Sequence, residues 1–184
     1  MSGHENIPLK IDMHTHIIPD KLPNFTEKFG FGDFISLLHH KKDSALMMKG
    51  GKFFREISAN CWDPELRIRE YEKYHTNIQV ISTIPVMFSY WADAKDCLDL
   101  SMFLNDHMAG IVDHYPDHYI GLGTVPMQDV DLAIQELERL NKLGFPGVQI
   151  GSNINNQNLS KPRFFEFFEA CESLIWLYWC IPGT

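Results

Sequence analysis

The stretch "KIDMHTHIIPD", Lys10 to Asp20, sets His14 and His16 one residue apart at the end of a short apolar run that Pro19 closes. In a strand, residues two apart share a face, so Asp12, His14 and His16 are expected to point the same way. Two imidazoles on one face are the start of a divalent-metal site. The same pair also arises without function: a chain with nine histidines is expected to show roughly 0.4 such pairs by chance, the false-positive risk of any short motif. Ligand pair and bland surface histidines therefore stand side by side at this point. Position adds an argument, because a strand that opens near residue 10 and ends in His-x-His before a proline fits the first strand of a βα barrel. Chemistry in such barrels collects at the C-terminal ends of the strands.

The elements that would hold these histidines must come from one domain. A chain of 184 residues with 45% apolar and 12% aromatic content is large enough for one sizeable core. A formal charge of −8 and no basic run beyond "HHKK" at His39 to Lys42 argue against a phosphate-tracking surface, so nucleic acid is not an expected partner. Cys61, Cys97, Cys171 and Cys180 show no CxxC spacing and read as buried thiols of a reducing cytoplasm. "MSGHENIPLK" lacks the apolar core of a signal peptide. The most apolar tract, "SLIWLYWCIP", is far short of the ~20 residues that cross a bilayer, so no membrane partner is expected.

Five apolar runs read as strands: Leu9 to His14, Ile78 to Ile84, Tyr119 to Val125, Gly147 to Ile150 and Ile175 to Cys180. Helical patterns separate most of them. Cys97, Leu100, Leu104, Met108, Ile111 and Tyr115 step by three and four, which predicts a long helix over Ala94 to Tyr115. Asp129 can cap the next helix, with Val130, Ile134, Leu137 and Leu140 inward and Gly144 as its stop. Ser160 with Pro162 opens another, carrying Phe164, Phe168, Cys171 and Ile175 on one side, and a shorter one spans Glu65 to His75. Strands alternating with helices predict a parallel α/β architecture. Residues 17–62 interrupt it as an insertion after strand one. Within them, "ALMMKGGKFFREI" has two apolar arms around Gly50-Gly51, a hairpin signature, and an insertion here would stand over the catalytic face.

Taken together, "KIDMHTHIIP", "GKFFREISANCWDPELRIREYEK", "STIPVMFSYWA", "GLGTVPMQD" and "LGFPGVQIGSNIN" resemble the 2-amino-3-carboxymuconate-6-semialdehyde decarboxylase family of the amidohydrolase superfamily, from about Lys10 to about Glu172. The resemblance implies a zinc-dependent amidohydrolase-type (β/α)8 TIM barrel, of which residues 1–184 hold about the first five strands. The implied enzyme is a cytosolic homodimer. Its small-molecule substrate loses one carboxylate by metal-activated hydroxide to give 2-aminomuconate 6-semialdehyde, a step of tryptophan and kynurenine degradation that limits quinolinate and NAD synthesis. Carried over by motif, His14 and His16 are the first two metal ligands, Arg55 of "KFFR" grips a substrate carboxylate, and Lys49 sits near the pocket mouth. Arginine suits that clamp because it offers two parallel N–H donors; without the resemblance, an arginine on an exposed hairpin is a solvated edge residue.

Other candidates read blandly. Asp12 is a supporting carboxylate rather than a ligand, and Met87, Phe88 and Trp91 are pocket lining or core. His39, His40, His107 and His114 are non-functional, and Cys180 is a buried thiol rather than a ligand. The family's third zinc-binding histidine belongs to a "VHPW"-like turn ending strand five, where this chain reads "LIWLYWCIPGT", and no histidine follows His118. A further histidine, the acid/base, and a ligating aspartate come from strands six and eight of the family. No catalytic acid/base is therefore assigned here, residues 173–184 form a divergent tail, and the expectation is a chain inactive and unstable by itself. Two alternatives remain: a catalytically silent subunit that modulates a full-length enzyme, and a related superfamily hydrolase or decarboxylase.

Overall fold

Each of the five apolar runs becomes a parallel strand, shifted by at most a few residues from its expected bounds. The computed structural model describes residues 8–174 and 177–182, so Ile175 and Trp176 of the expected fifth strand lie outside the described residues. In chain order the elements are β1 (Ile11–His16), α1 (Phe25–Phe29), β2 (Ile35–Lys41), β3 (Ser44–Lys49), β4 (Lys52–Ser58), α2 (Pro64–Glu72), β5 (Ile78–Ser82) and α3 (Ala94–His114). There follow β6 (Tyr119–Gly121), α4 (Val130–Lys142), β7 (Gly147–Gly151), β8 (Asn153–Ile154), β9 (Gln157–Asn158), α5 (Phe165–Ser173) and β10 (Leu177–Ile181). β1 pairs with β5, β5 with β6, and β7 with β10, all parallel. A parallel bridge between Gly123 and Val148 joins the two groups. The result is a five-stranded arc, β1-β5-β6-β7-β10, with a helix before each strand after the first: the opening portion of a (β/α)8 barrel.

The helices form where the apolar spacing puts them. On α3, Cys97, Leu100, Leu104, Met108 and Ile111 are buried, as the three-and-four step requires. Asp129 caps α4 by accepting from the Leu132 amide at 3.1 Å, and Ala133, Leu137 and Leu140 are wholly buried behind it. On α5 the buried side is Phe164, Phe167 and Cys171, with Phe168 half-buried, a small rotation from the expected stripe; Ile175 is outside the described residues. A buried charge was not foreseen. Glu136 takes two bonds from Arg139, at 2.8 Å each, and one from Asn105 at 2.7 Å. Asn105 also exchanges two 2.8 Å bonds with the Thr124 backbone, so one network ties α3 and α4 to the end of β6.

The insertion is a three-stranded antiparallel sheet, β2-β3-β4. Its predicted hairpin turns at Gly50 and Gly51, at φ 56° and 74°, the left-handed pair that a two-residue turn demands. β2 had no counterpart in the sequence reading, because "HHKK" breaks its apolar pattern; pairing with β3 supplies the backbone bonds that define it. The sheet's inner face carries Ile35, Ala45, Met47 and Ile57. These share a core with Ile18, which follows β1, and with Met87 and Ala92, which follow β5. The sheet thus sits on the C-terminal ends of the barrel strands.

Candidate metal and substrate site

His14 and His16 meet at the end of β1, their rings edge to face with centroids 4.8 Å apart. Asp12 does not join them. The β1–β5 register slips between Asp12 and Thr15, and this bulge breaks the alternation that would have put all three on one face. Asp12 instead accepts from the His14 amide at 3.3 Å and bonds the Tyr71 side chain of α2, raising the Tyr71 pKa by its charge in addition to the effect of burial.

His16 is held from two sides, by Ser82 and by Arg67. Ser82, its register partner on β5, donates its single hydroxyl proton to the Thr15 carbonyl at 3.2 Å and lies 3.1 Å from His16 Nδ1. The His16 ring also bonds the backbone of Thr83 and Ser82, so it is anchored to the end of β5 through several contacts. Arg67, on α2 and only 7% exposed, donates to the His16 carbonyl at 2.9 Å. It also donates to the Asn60 carbonyl at 2.9 Å and twice to Gln79 Oε1, at 3.1 and 2.8 Å. Burial, then the neighbouring His14, lowers the His16 pKa to about 4, so the ring is neutral, and a neutral imidazole is what a metal binds. These donors fit half of a four-ligand divalent site; among the described residues no group of three or more His, Cys, Asp or Glu comes together to complete one.

On the far side, β10 brings Trp179 to 6.0 Å from the His14 ring. Cys180 is exposed rather than buried as expected, and its neighbour Ile181 is buried in the core. Neither makes a ligand cluster with the histidines among the described residues.

The two substrate candidates lie on the hairpin, apart from each other. Arg55 is exposed on β4, registered with buried Met47 on the sheet's inner side. Its guanidinium lies 5.4 Å from the Phe54 ring centroid, and its charge reaches the Cys61 thiol, whose backbone carbonyl accepts from the Ile18 amide at 3.0 Å. No direct contact joins Arg55 to His14 or His16 among the described residues. Lys49 lines a cavity of about 410 Å³ together with Phe88, Ser89, Tyr90, Trp91, Asn153, Asn155 and Asn156. Of the three residues read as pocket lining or core, Met87 and Phe88 are buried and Trp91 is 44% exposed at this cavity. His39 and His40 pair with Asp20 and Glu56 on the surface, at 3.3 and 3.2 Å.

Three residues were missed. Ser82 and Trp179 gave no signal, since only strand pairing sets them beside the histidines. Arg67 gave a faint one: in "PELRIRE" an arginine occupies a position of a short helix that packs on the sheet.

The chain matches the Amidohydrolase family model over residues 11–178. It is 54% identical over 167 residues to the 2-amino-3-carboxymuconate-6-semialdehyde decarboxylase of Dictyostelium discoideum, covering 90% of this chain and 46% of that protein. To the protein of the same name from Caenorhabditis elegans it is 34% identical over 184 residues, covering 89% of this chain and 46% of the relative. The chain spans about half the length of these curated relatives. Among solved structures, a dihydroxybenzoic acid decarboxylase from Polaromonas sp. JS666, with bound manganese and the inhibitor 2-nitroresorcinol, superposes with a TM-score of 0.70 at 20% identity, covering 96% of this chain and 50% of that one. At that identity the likeness speaks for the fold.

Proposed function

The chain belongs to the Amidohydrolase family, and we propose that it forms the metal-binding first half of a decarboxylase that converts 2-amino-3-carboxymuconate 6-semialdehyde to 2-aminomuconate 6-semialdehyde. In that role it belongs to tryptophan degradation through kynurenine, withdrawing material from quinolinate and NAD synthesis. The observation that carries the reading is the His14–His16 pair at the end of β1, with the His16 ring anchored to β5 through Ser82. Identity to relatives bearing the decarboxylase name supports the substrate class.

When bound, a divalent metal, zinc in this reading, activates water at neutral pH. His14 and His16 hold the metal. Arg67 fixes the His16 backbone from behind, so that the ring does not swing as charge develops in front of it. Arg55 grips a substrate carboxylate through paired N–H donors, orienting the bond that breaks, and Lys49 draws the anionic substrate to the mouth. The resemblance puts the family acid/base and the remaining ligands on later strands of the whole barrel, and turnover is assigned to that whole barrel. The four free thiols support a cytosolic setting, and a homodimer is the assembly of the complete enzyme.

The test is Arg55→Ala in a protein with the whole barrel. It should lose about 2–4 kcal/mol of transition-state stabilisation, the scale of a charged hydrogen-bonding partner, while keeping its metal. A kcat/KM within threefold of the parent removes the clamp; a parallel loss of metal points to a folding defect.

A further inference from the structure

Beyond the clamp and the metal pair, two loops at the same end of the barrel build a walled cavity. One wall follows β5, whose last residue, Ser82, bonds His16; Phe88 to Trp91 form it. The other follows β7 and carries Asn153, Asn155 and Asn156. The walls are fastened together: Asn155 Nδ2 donates to the Tyr90 carbonyl at 2.7 Å, and the Gly151 amide donates to the Tyr90 hydroxyl oxygen at 3.2 Å. Both loops hold strained backbone, with Ser89, Asn155 and Asn156 at φ 51°, 48° and 63°. Strain of this kind persists only where surrounding structure over-determines it.

What the cavity presents is specific. Trp91 is a fixed platform: Phe34 packs against it at 4.8 Å between centroids, and a Cβ on Gly32 would come within 2.5 Å of its ring. It is nonetheless 44% exposed at the cavity. The side-chain amides of Asn153 and Asn156, both exposed, and the Lys49 ammonium line the same space. A flat aromatic face beside exposed N–H donors suits a planar conjugated stem that ends in a hydrogen-bond acceptor.

We propose that this cavity is the specificity pocket for the substrate end remote from the metal, with Trp91 stacking on the conjugated chain and the Asn153 and Asn156 amides donating to its terminal carbonyl. The assignment rests on the decarboxylase reading for the identity of that end, a conjugated aldehyde, but the pocket is testable without metal or turnover. Asn155, spent on Tyr90, keeps the walls together and does not read the ligand.

The probes are the monoamide of trans,trans-muconate, which ends in a neutral carbonyl, and sorbate, the same dienoate with a methyl end. Each is titrated onto the purified chain in chelator by ligand-observed NMR, which reads binding whatever the assembly state. The monoamide should bind at least tenfold tighter than sorbate. Asn153→Leu with Asn156→Gly, the glycine preserving the left-handed backbone, should erase that preference while leaving sorbate affinity within twofold. Trp91→Ala should weaken both probes by a similar factor. Equal binding of the two probes to the parent chain, or a preference that survives the double variant, overturns the pocket, as does a double variant that loses both probes equally or a Trp91→Ala chain that binds both as tightly as the parent. Failure of a protein with the whole barrel to bind zinc in a separate titration overturns the metal reading and leaves this result standing.

Discussion

The metal reading stands on His14 and His16, and each is testable by itself. In a protein carrying its full ligand set, His14→Ala and His16→Ala should each abolish stoichiometric zinc, because opening a four-ligand site releases the ion; metal analysis after dialysis is the check, and full retention in both removes the assignment. His107 offers a pH signature independent of the metal. Its Nε2 is buried without a partner among the described residues, and burial lowers its pKa, a hydrogen bond to the Ile18 backbone acting the other way. Asp20, Lys21 and Asp106 border the same depression. Because the folded ring resists protonation, the unfolded chain gains the proton first. The stability contributed by the neutral ring is present above the ordinary value of 6.5 and is lost as pH falls below it. His107→Leu should flatten that acid limb, read as urea midpoints at a series of pH values; an unchanged slope refutes it.

Two elements position the site from opposite sides, α2 through Arg67 and the hairpin through its turn. Arg67→Met would leave Gln79 Oε1 and two carbonyls without donors in a buried place, at a cost of about 2–4 kcal/mol by the scale of unpaired buried polar groups. Thermal unfolding reads the loss, and a shift under one degree contradicts the brace. At the turn, Gly50 sits at φ 56°, and a Cβ there would lie 2.1 Å from Asp33 Oδ1. Gly50→Ala is expected to cost about 1–2 kcal/mol from the left-handed backbone alone, and more from the clash. Lys49 adjoins this turn, so the same change should weaken binding of the dienoate probes.

For the molecule as a whole, the arc of strands leaves β1 and β10 each paired on one side among the described residues. Ile11 and Met13 on β1 are 42% and 43% exposed, and Leu177 and Tyr178 on β10 are 44% and 46% exposed. Unpaired parallel edges with apolar side chains are templates for association. The purified chain should therefore elute as higher assemblies at micromolar concentration. Met13→Lys with Leu177→Lys should shift it toward monomer with the far-UV circular dichroism unchanged. A monodisperse parent chain would refute the edge argument.

The sequence by itself determined the parallel α/β order, because apolar periods of two and of three-to-four dictate which faces must leave water, and these are local properties of "NIQVIST" or of the Cys97 to Ile111 stripe. It also determined the hairpin, since Gly50-Gly51 is a backbone requirement written in residue type, and it marked His14 and His16. Tertiary structure alone decided that Asp12 turns away from them, through a bulge that depends on β1–β5 register. It likewise decided that Ser82 anchors the His16 ring to β5, and that Arg67 reaches across from α2. The reason is the same in each case: these contacts lie between residues 51 to 67 positions apart in sequence, and no local pattern records which strand edge will meet which.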